Sequence, residues 1–133
     1  MMADLNQQET LSIIICRELG DNTGVTVEQV RQGVEEEQMP SCVISGIGNS
    51  MNLARLAAES SSLGIGVGID KDGMITLTHH RMPFNQPVMQ VSTRNDPGVA
   101  RIIGTNAARL FKGRPFMDWP HIKTSFPEGF WEY

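Results

Sequence analysis

Between Leu63 and Asp70, Gly64, Gly66 and Gly68 alternate with Ile65, Val67 and Ile69. This period of two constrains the chain more than any other feature. A strand sends successive side chains to opposite faces, so the run offers one branched apolar face and one bare face. A bare strand face lowers stability unless something packs closely on it, most often a helix. Gly104, Ala107 and Ala108 of a later segment have the small side chains such a helix needs. The competing reading is a phosphate loop. A dinucleotide fingerprint requires a glycine where Ile69 stands and a helix directly after it. Here Asp70-Lys71-Asp72-Gly73 predicts a hairpin turn, and Met74 to His79 predicts a returning strand. The chain also lacks the Gly-Lys-Ser/Thr of a P-loop.

The remaining segments fit around this strand. Leu11 to Cys16 is a β-branched apolar run and predicts a buried strand. After the turn residues Gly20 to Gly24, Thr26 and Gln29 match a capping box, and Val27, Val30 and Val34 follow at helical spacing up to Pro40. Ser41 to Ser45 predicts a strand. Gly46 to Ser50 leads into a helix reaching about Glu59, with Leu53, Leu56 and Ala57 inward. Ser60-Ser61-Ser62 is a polar turn. Val88 to Ser92 predicts a fifth strand. Asp96-Pro97 starts a last helix whose apolar face holds Val99, Ile102, Ile103, Ala107, Leu110 and Phe111, and Gly113 closes it. The order βαβαβββα predicts an α/β fold: a mainly parallel five-stranded sheet with an antiparallel hairpin, Rossmann-like, with helices packed on it.

With 133 residues, 40% hydrophobic and 20% charged, the chain suits one folded domain with a single core. The division expected is a flexible N-terminus (1–9), an α/β domain (10–113) and a C-terminal arm (114–133). Six of the eight aromatic residues (Phe116, Trp119, Phe126, Phe130, Trp131, Tyr133) fall in that arm, among three prolines. Such an arm covers apolar surface, either on its own sheet, the favoured reading, or on another chain. A net charge of −4 without basic runs speaks against nucleic acid as a partner. The apolar run Ile13 to Cys16 is too short to span a bilayer, and no positively charged leader precedes it, so a cytoplasmic protein is expected. Cys16 and Cys42 stand apart, as two buried thiols in a reducing compartment would; a disulfide is the lesser reading.

Candidate chemistry is sparse. His79 and His80 are neighbours on a strand end, where alternation sends them to opposite faces and away from a shared metal. His121 lies far along the arm. Metal-ligand spacings and the Gly-x-Ser-x-Gly nucleophile motif are absent, so no catalytic or cofactor-binding residue is nominated. Glu35-Glu36-Glu37 is more informative. Three carboxylates crowd the last turn of the first long helix, the end that already carries partial negative charge. Arg31, one turn earlier, compensates only in part. Glu37 reads as a solvated anion. For Glu35 and Glu36 two readings stay open: a solvated patch, or an anion pair met by an outside cation, whether a metal or a basic side chain.

Several segments, taken in order, resemble the small subunit of diol and glycerol dehydratase-reactivating factors. They are Gly33-Val-Glu-Glu-Glu-Gln-Met-Pro40, Leu56-Ala-Ala-Glu-Ser-Ser-Ser-Leu63, Gly66-Val-Gly-Ile69, Gly73, Ile75-Thr-Leu-Thr-His79 with Pro83, Gly104-Thr-Asn-Ala107 and Leu110-Phe-Lys112. The resemblance covers about residues 11–112. Gln38 stands where the family usually has glycine, and neither the N-terminal extension nor the aromatic arm has a counterpart. The resemblance implies the α/β fold of the medium (β) subunit of the adenosylcobalamin-dependent dehydratase. It implies a non-catalytic role beside a large ATPase subunit, in a hetero-oligomer that acts as a chaperone on dehydratase holding damaged cobalamin. By position, Glu36 would help ligate Mg²⁺ at the contact with the large subunit, with Glu35 beside it at the interface. One carboxylate holds Mg²⁺ only with help from other ligands. Two further readings remain: a medium-subunit-like component of the dehydratase itself, a cobalamin-dependent lyase, or a free-standing domain binding a small molecule on the glycine stripe.

Overall fold

The computed structural model describes residues 5–20, 22–94 and 96–125. Along it run α1 (Gln7–Thr10), β1 (Ile13–Glu18), α2 (Gly24–Glu36), β2 (Ser41–Gly46), α3 (Ser50–Ser60), β3 (Ile65–Ile69), β4 (Met74–His79), β5 (Met89–Ser92), α4 (Val99–Lys112) and β6 (Lys123–Thr124). They form one sheet in the order β2-β1-β3-β4-β5-β6. Strand β1 runs parallel to β2 and β3, and the pairings β3–β4, β4–β5 and β5–β6 are antiparallel. The α/β class and the packed helices are as expected. The sheet has six strands rather than five, because the arm supplies Lys123–Thr124, and antiparallel pairings outnumber parallel ones. Helical crossovers between parallel strands stop at β3; a tight turn leads to β4, residues 80–88 lead to β5, and α4 stands between β5 and β6.

Alternation along the central strands divides the interior. Ile13 and Ile15 of β1, with Ile65, Val67 and Ile69 of β3, face the larger core beneath α2 and α4. Ile14 and Cys16 face the opposite way, against Leu53 and Ala57 of α3. The bare face of β3 lies on this second side. A Cβ added to Gly66 would stand 2.5 Å from Ala54 O and 2.6 Å from Ala57 Cβ, and one on Gly68 would collide with Ser50 O and Ala54 N. The helix filling the stripe is therefore α3, not the last helix as expected. It is the crossover into β3 and carries Ala54, Ala57 and Ala58 on its buried side. At Gly66 and Gly68 the stripe is filled and floors no pocket, so the free-standing binding domain loses most of its site; Gly64, at the end of the stripe, faces His80 and lines a pocket with Arg55 and Ser62.

Gly104 has a different neighbour. A Cβ there would stand 2.9 Å from the carbonyl carbon of Val30, and one on Gly33 would stand 2.7 Å from the Thr105 nitrogen. Helices α2 and α4 thus cross backbone to backbone on the larger core. The ends of α2 also differ from expectation. The helix starts at Gly24, ahead of the Thr26–Gln29 pattern, and the Thr23 hydroxyl accepts from Arg17 Nε (2.9 Å) instead of capping the helix. It closes before Pro40 in a Schellman arrangement: Gln38 N–H donates to Glu35 O (2.9 Å) and Met39 N–H to Val34 O (3.3 Å). Gln38 takes φ +62°, the left-handed conformation that favours glycine. Asp96 and Pro97 precede α4 rather than opening it. Asp96 Oδ1 accepts from Gly98 N–H (3.2 Å), and Gly113 ends the helix at φ +67°.

The arm turns back on its own sheet as far as it is described. Phe116 and Ile122 pack against the larger core, and Ser125 N–H donates to Val88 O (2.9 Å). Residues 1–4 of the N-terminus, and Phe126, Phe130, Trp131 and Tyr133 of the arm, lie outside the described residues. Among the described residues no helix is long and apolar enough to cross a membrane.

Gly66→Ala should lower the unfolding free energy in urea by about 1–3 kcal/mol, because the α3 backbone must retreat from β3; unchanged stability would contradict that contact. Gln38→Gly should raise stability by about 0.5–1 kcal/mol by removing left-handed strain; a loss would show that the Gln38 side chain contributes more than its backbone costs.

A candidate docking and cation site at the α2–α4 crossing

The three carboxylates at the end of α2 meet three different fates. Glu35 pairs along its own helix with Arg31 Nη2 at 3.0 Å. Glu36 is held in a two-pronged fork by Arg101 of α4: Nε donates to Oε1 at 2.7 Å, and Nη2 donates to Oε2. Glu37 is the most sheltered, with 15% of its side chain exposed, and lies between Arg109 Nε (3.4 Å) and Arg114 Nη1 (3.5 Å). The Lys112 ammonium donates to the Glu37 carbonyl. Glu37 is therefore not the solvated anion expected. Cations do answer the misplaced charges: Arg31 of α2 for Glu35, and for Glu36 and Glu37 residues of α4 and the one after Gly113.

Around Glu36 the surface is concave. A cleft of about 560 Å³ is lined by Gln29, Gln32, Glu36, Arg101, Met117 and Trp119, over Ile102 and Thr105. Gln29, Gln32 and Glu36 share one face of α2 by helical spacing. The opposite wall comes from the arm, and buried Asn106 fixes it. Met117 N–H donates to Asn106 Oδ1 (2.7 Å), and Asn106 Nδ2 donates back to the Met117 carbonyl (3.1 Å). The Trp119 indole N–H donates to Asp96 Oδ2 (2.6 Å). The hydrogen bonds from Arg101, with its positive charge, hold the Glu36 carboxyl below the usual range and raise the guanidinium in turn.

The donor set is the Glu36 carboxylate and two carboxamide oxygens; the Glu37 carboxylate also lines the cleft but is held by Arg109 and Arg114. Among the described residues no group of three or more His, Cys, Asp or Glu side chains converges. A hard divalent cation takes about six oxygen ligands, so an ion at Glu36 fits only as a shared ion, completed from outside this chain. Glu35 is committed to Arg31 and is not part of the lining.

Other candidates resolve into structure. The His79 and His80 rings stack at 4.5 Å, closer than alternation predicts, because β4 ends at His79. His79 Nδ1 accepts from Arg81 N–H (3.1 Å), which fixes a neutral ring with its proton on Nε2. Burial, with the charges of His80 and Arg81, pushes its pKa down to about 4. Cys16 and Cys42 are both free thiols. Burial pushes Cys16 up to about 11 and also raises Cys42, where the Glu9 carboxylate adds to it. The N-terminus of α3, beyond the glycine run, is occupied from within. Asp70 accepts from the backbone N–H groups of Ser50 (3.2 Å), Asp72 (2.9 Å) and Met74 (3.0 Å). A protein carboxylate thus sits where a phosphate loop would bind phosphate.

A sequence model described as "Dehydratase medium subunit" matches residues 12–117. The chain belongs to the dehydratase medium-subunit family. It is 33% identical over 94 residues to a probable glycerol dehydratase-reactivating factor small subunit of Citrobacter freundii, covering 69% of this chain and 80% of the relative. It is 34% identical over 91 residues to the diol dehydratase-reactivating factor small subunit of Klebsiella michiganensis, covering 68% and 72%. A glycerol dehydratase reactivase structure superposes with a TM-score of 0.76 at 27% identity, covering 80% of this chain and 96% of that one. A chain of a diol dehydratase-reactivating factor complexed with ADP and Mg²⁺ gives 0.73 at 32% identity, covering 80% and 97%. The matched family segment contains Glu36 and Arg101 and stops short of Trp119. Met117 closes the matched segment, so of the cleft wall Trp119 alone lies beyond it.

Of the residues nominated from sequence, Glu36 lies in the cleft and Glu35 beside it. Arg101, Gln29, Gln32, Met117, Trp119 and Asn106 were not nominated. A lone arginine inside the apolar stretch Val99–Ile103 was the available signal for Arg101.

Because His79 is held neutral, the unfolded chain binds more protons than the folded one between pH 6.5 and about 4. Stability should fall as pH drops through that window, and His79→Gln should flatten that part of the profile in pH-dependent urea melts. An identical slope in wild type and variant would show that His79 does not set it.

Proposed function

We propose that this chain is the non-catalytic small subunit of a reactivating factor for an adenosylcobalamin-dependent diol or glycerol dehydratase. The observation that carries the reading is Glu36. It stands 47% exposed on the rim of a cleft with an incomplete donor set, inside the segment 12–117 that the family model matches, in a chain a third identical to reactivating-factor small subunits. Such a carboxylate is suited to a contact that another chain completes. On this reading the α2–α4 face docks to a large ATPase subunit, and Glu36 supplies one ligand to a Mg²⁺ shared across the contact. The Mg²⁺ neutralises carboxylates from both sides and ties the two chains together. ATP hydrolysis belongs to the partner. The small subunit then exchanges with the dehydratase medium subunit, which shares its fold, and damaged cobalamin leaves the client enzyme. The work is cytoplasmic.

The description of the matching family favours a second reading, in which the chain is a medium-subunit component of the dehydratase itself. The two part on partner choice. Co-expression should yield a stable complex with a large reactivase subunit and not with the other dehydratase subunits; the reverse preference selects the second reading. Within the complex, Glu36→Gln should weaken Mg²⁺-dependent assembly several-fold in a pull-down titrated with Mg²⁺. Glu37→Gln should act on thermal stability instead, since Glu37 anchors Arg109 and Arg114. Equal effects of the two variants on assembly would reduce the helix end to a general acidic patch.

A further inference from the structure

We infer that Arg101 is an internal competitor for the Glu36 carboxylate, so that a cation engages this cleft only by displacing the guanidinium. The inference rests on the proposed role of Glu36 and adds the control of that role. Both oxygens of Glu36 are engaged by Arg101, so neither is directed to an ion while the fork is closed. The other nearby cations are committed elsewhere: Arg31 to Glu28 and Glu35, and Arg109 and Arg114 to Glu37. The fork itself is open to solvent, with Arg101 55% and Glu36 47% exposed, so it can open without unpacking the core. Its backbone is fixed all the same. The Arg101 carbonyl lies at the point where a Gly33 side chain would sit, which keeps the guanidinium over the last turn of α2 in the free subunit. Arg101 is thus a positioning residue. It neutralises Glu36 while no ion is bound, and it sets how much cation is needed to replace it.

The test is complex formation between the full chain and the large reactivase subunit across a Mg²⁺ titration. Exposed ion pairs are worth a small factor, so Arg101→Met should lower the half-saturating Mg²⁺ by about two- to fivefold. Arg101→Lys keeps the charge without the fork and should fall between Met and wild type. Melting curves of the free variants check that the fold survives. An Arg101→Met requirement equal to or above wild type, with Glu36→Gln still impaired, overturns this inference alone. A Glu36→Gln variant with an unchanged Mg²⁺ requirement overturns the role of Glu36 and this inference with it.

Discussion

Helices α2 and α4 touch through their backbones, and the geometry of the candidate site follows from that contact. Gly33 and Gly104 remove the side chains that would hold the helices apart. The carbonyl of Arg101 occupies the space beside Gly33, and that of Val30 the space beside Gly104. The crossing seals the larger core, where Val30, Val34, Val99 and Ile103 are fully buried. It also leaves the Arg101 side chain next to the turn that ends in Glu36. A bulkier residue at either glycine would loosen the core and move the guanidinium off the carboxylate together.

The negative end of α2 shows how one local charge problem is divided into two jobs. A helix C-terminus disfavours carboxylates, and three of them sit here. Glu37 and its carbonyl draw in Arg109, Lys112 and Arg114, which fastens the end of α4 and the start of the arm to α2. Glu36 takes Arg101 alone, on an open rim. The sheltered pair holds the fold, and the open pair is the one able to change partners. Asn106 completes the arrangement by clamping the backbone of Met117, so the arm forms a wall of the cleft.

Much of the sheet was legible in the sequence because its signals are local. The two-residue period of Ile65 to Ile69, the apolar run of β1 and the hairpin turn at Gly73 placed the central strands within a residue or two. The occupant of the glycine stripe was not legible from residue size alone. Two segments, α3 and α4, carry small residues, and only the crossover connection into β3 selects α3. The short β6 has no apolar period to announce it. At the site, the charge imbalance of Glu35–Glu37 was visible, but its resolution was not. The arginines that answer Glu36 and Glu37 lie 65 to 77 residues further on, and α2–α4 packing brings them there.

The central claim is that the α2–α4 cleft, walled by the arm, is the face this chain presents to a large reactivase subunit. Hydroxyl-radical footprinting of the chain alone and in that complex tests it most directly, because Met117 and Trp119 in the cleft wall are both readily oxidised. The account predicts that both become protected on complex formation, while Phe84 and Ile47, exposed on other parts of the surface, keep their reactivity. Protection of Phe84 or Ile47 with Met117 and Trp119 unchanged would place the contact elsewhere and contradict it.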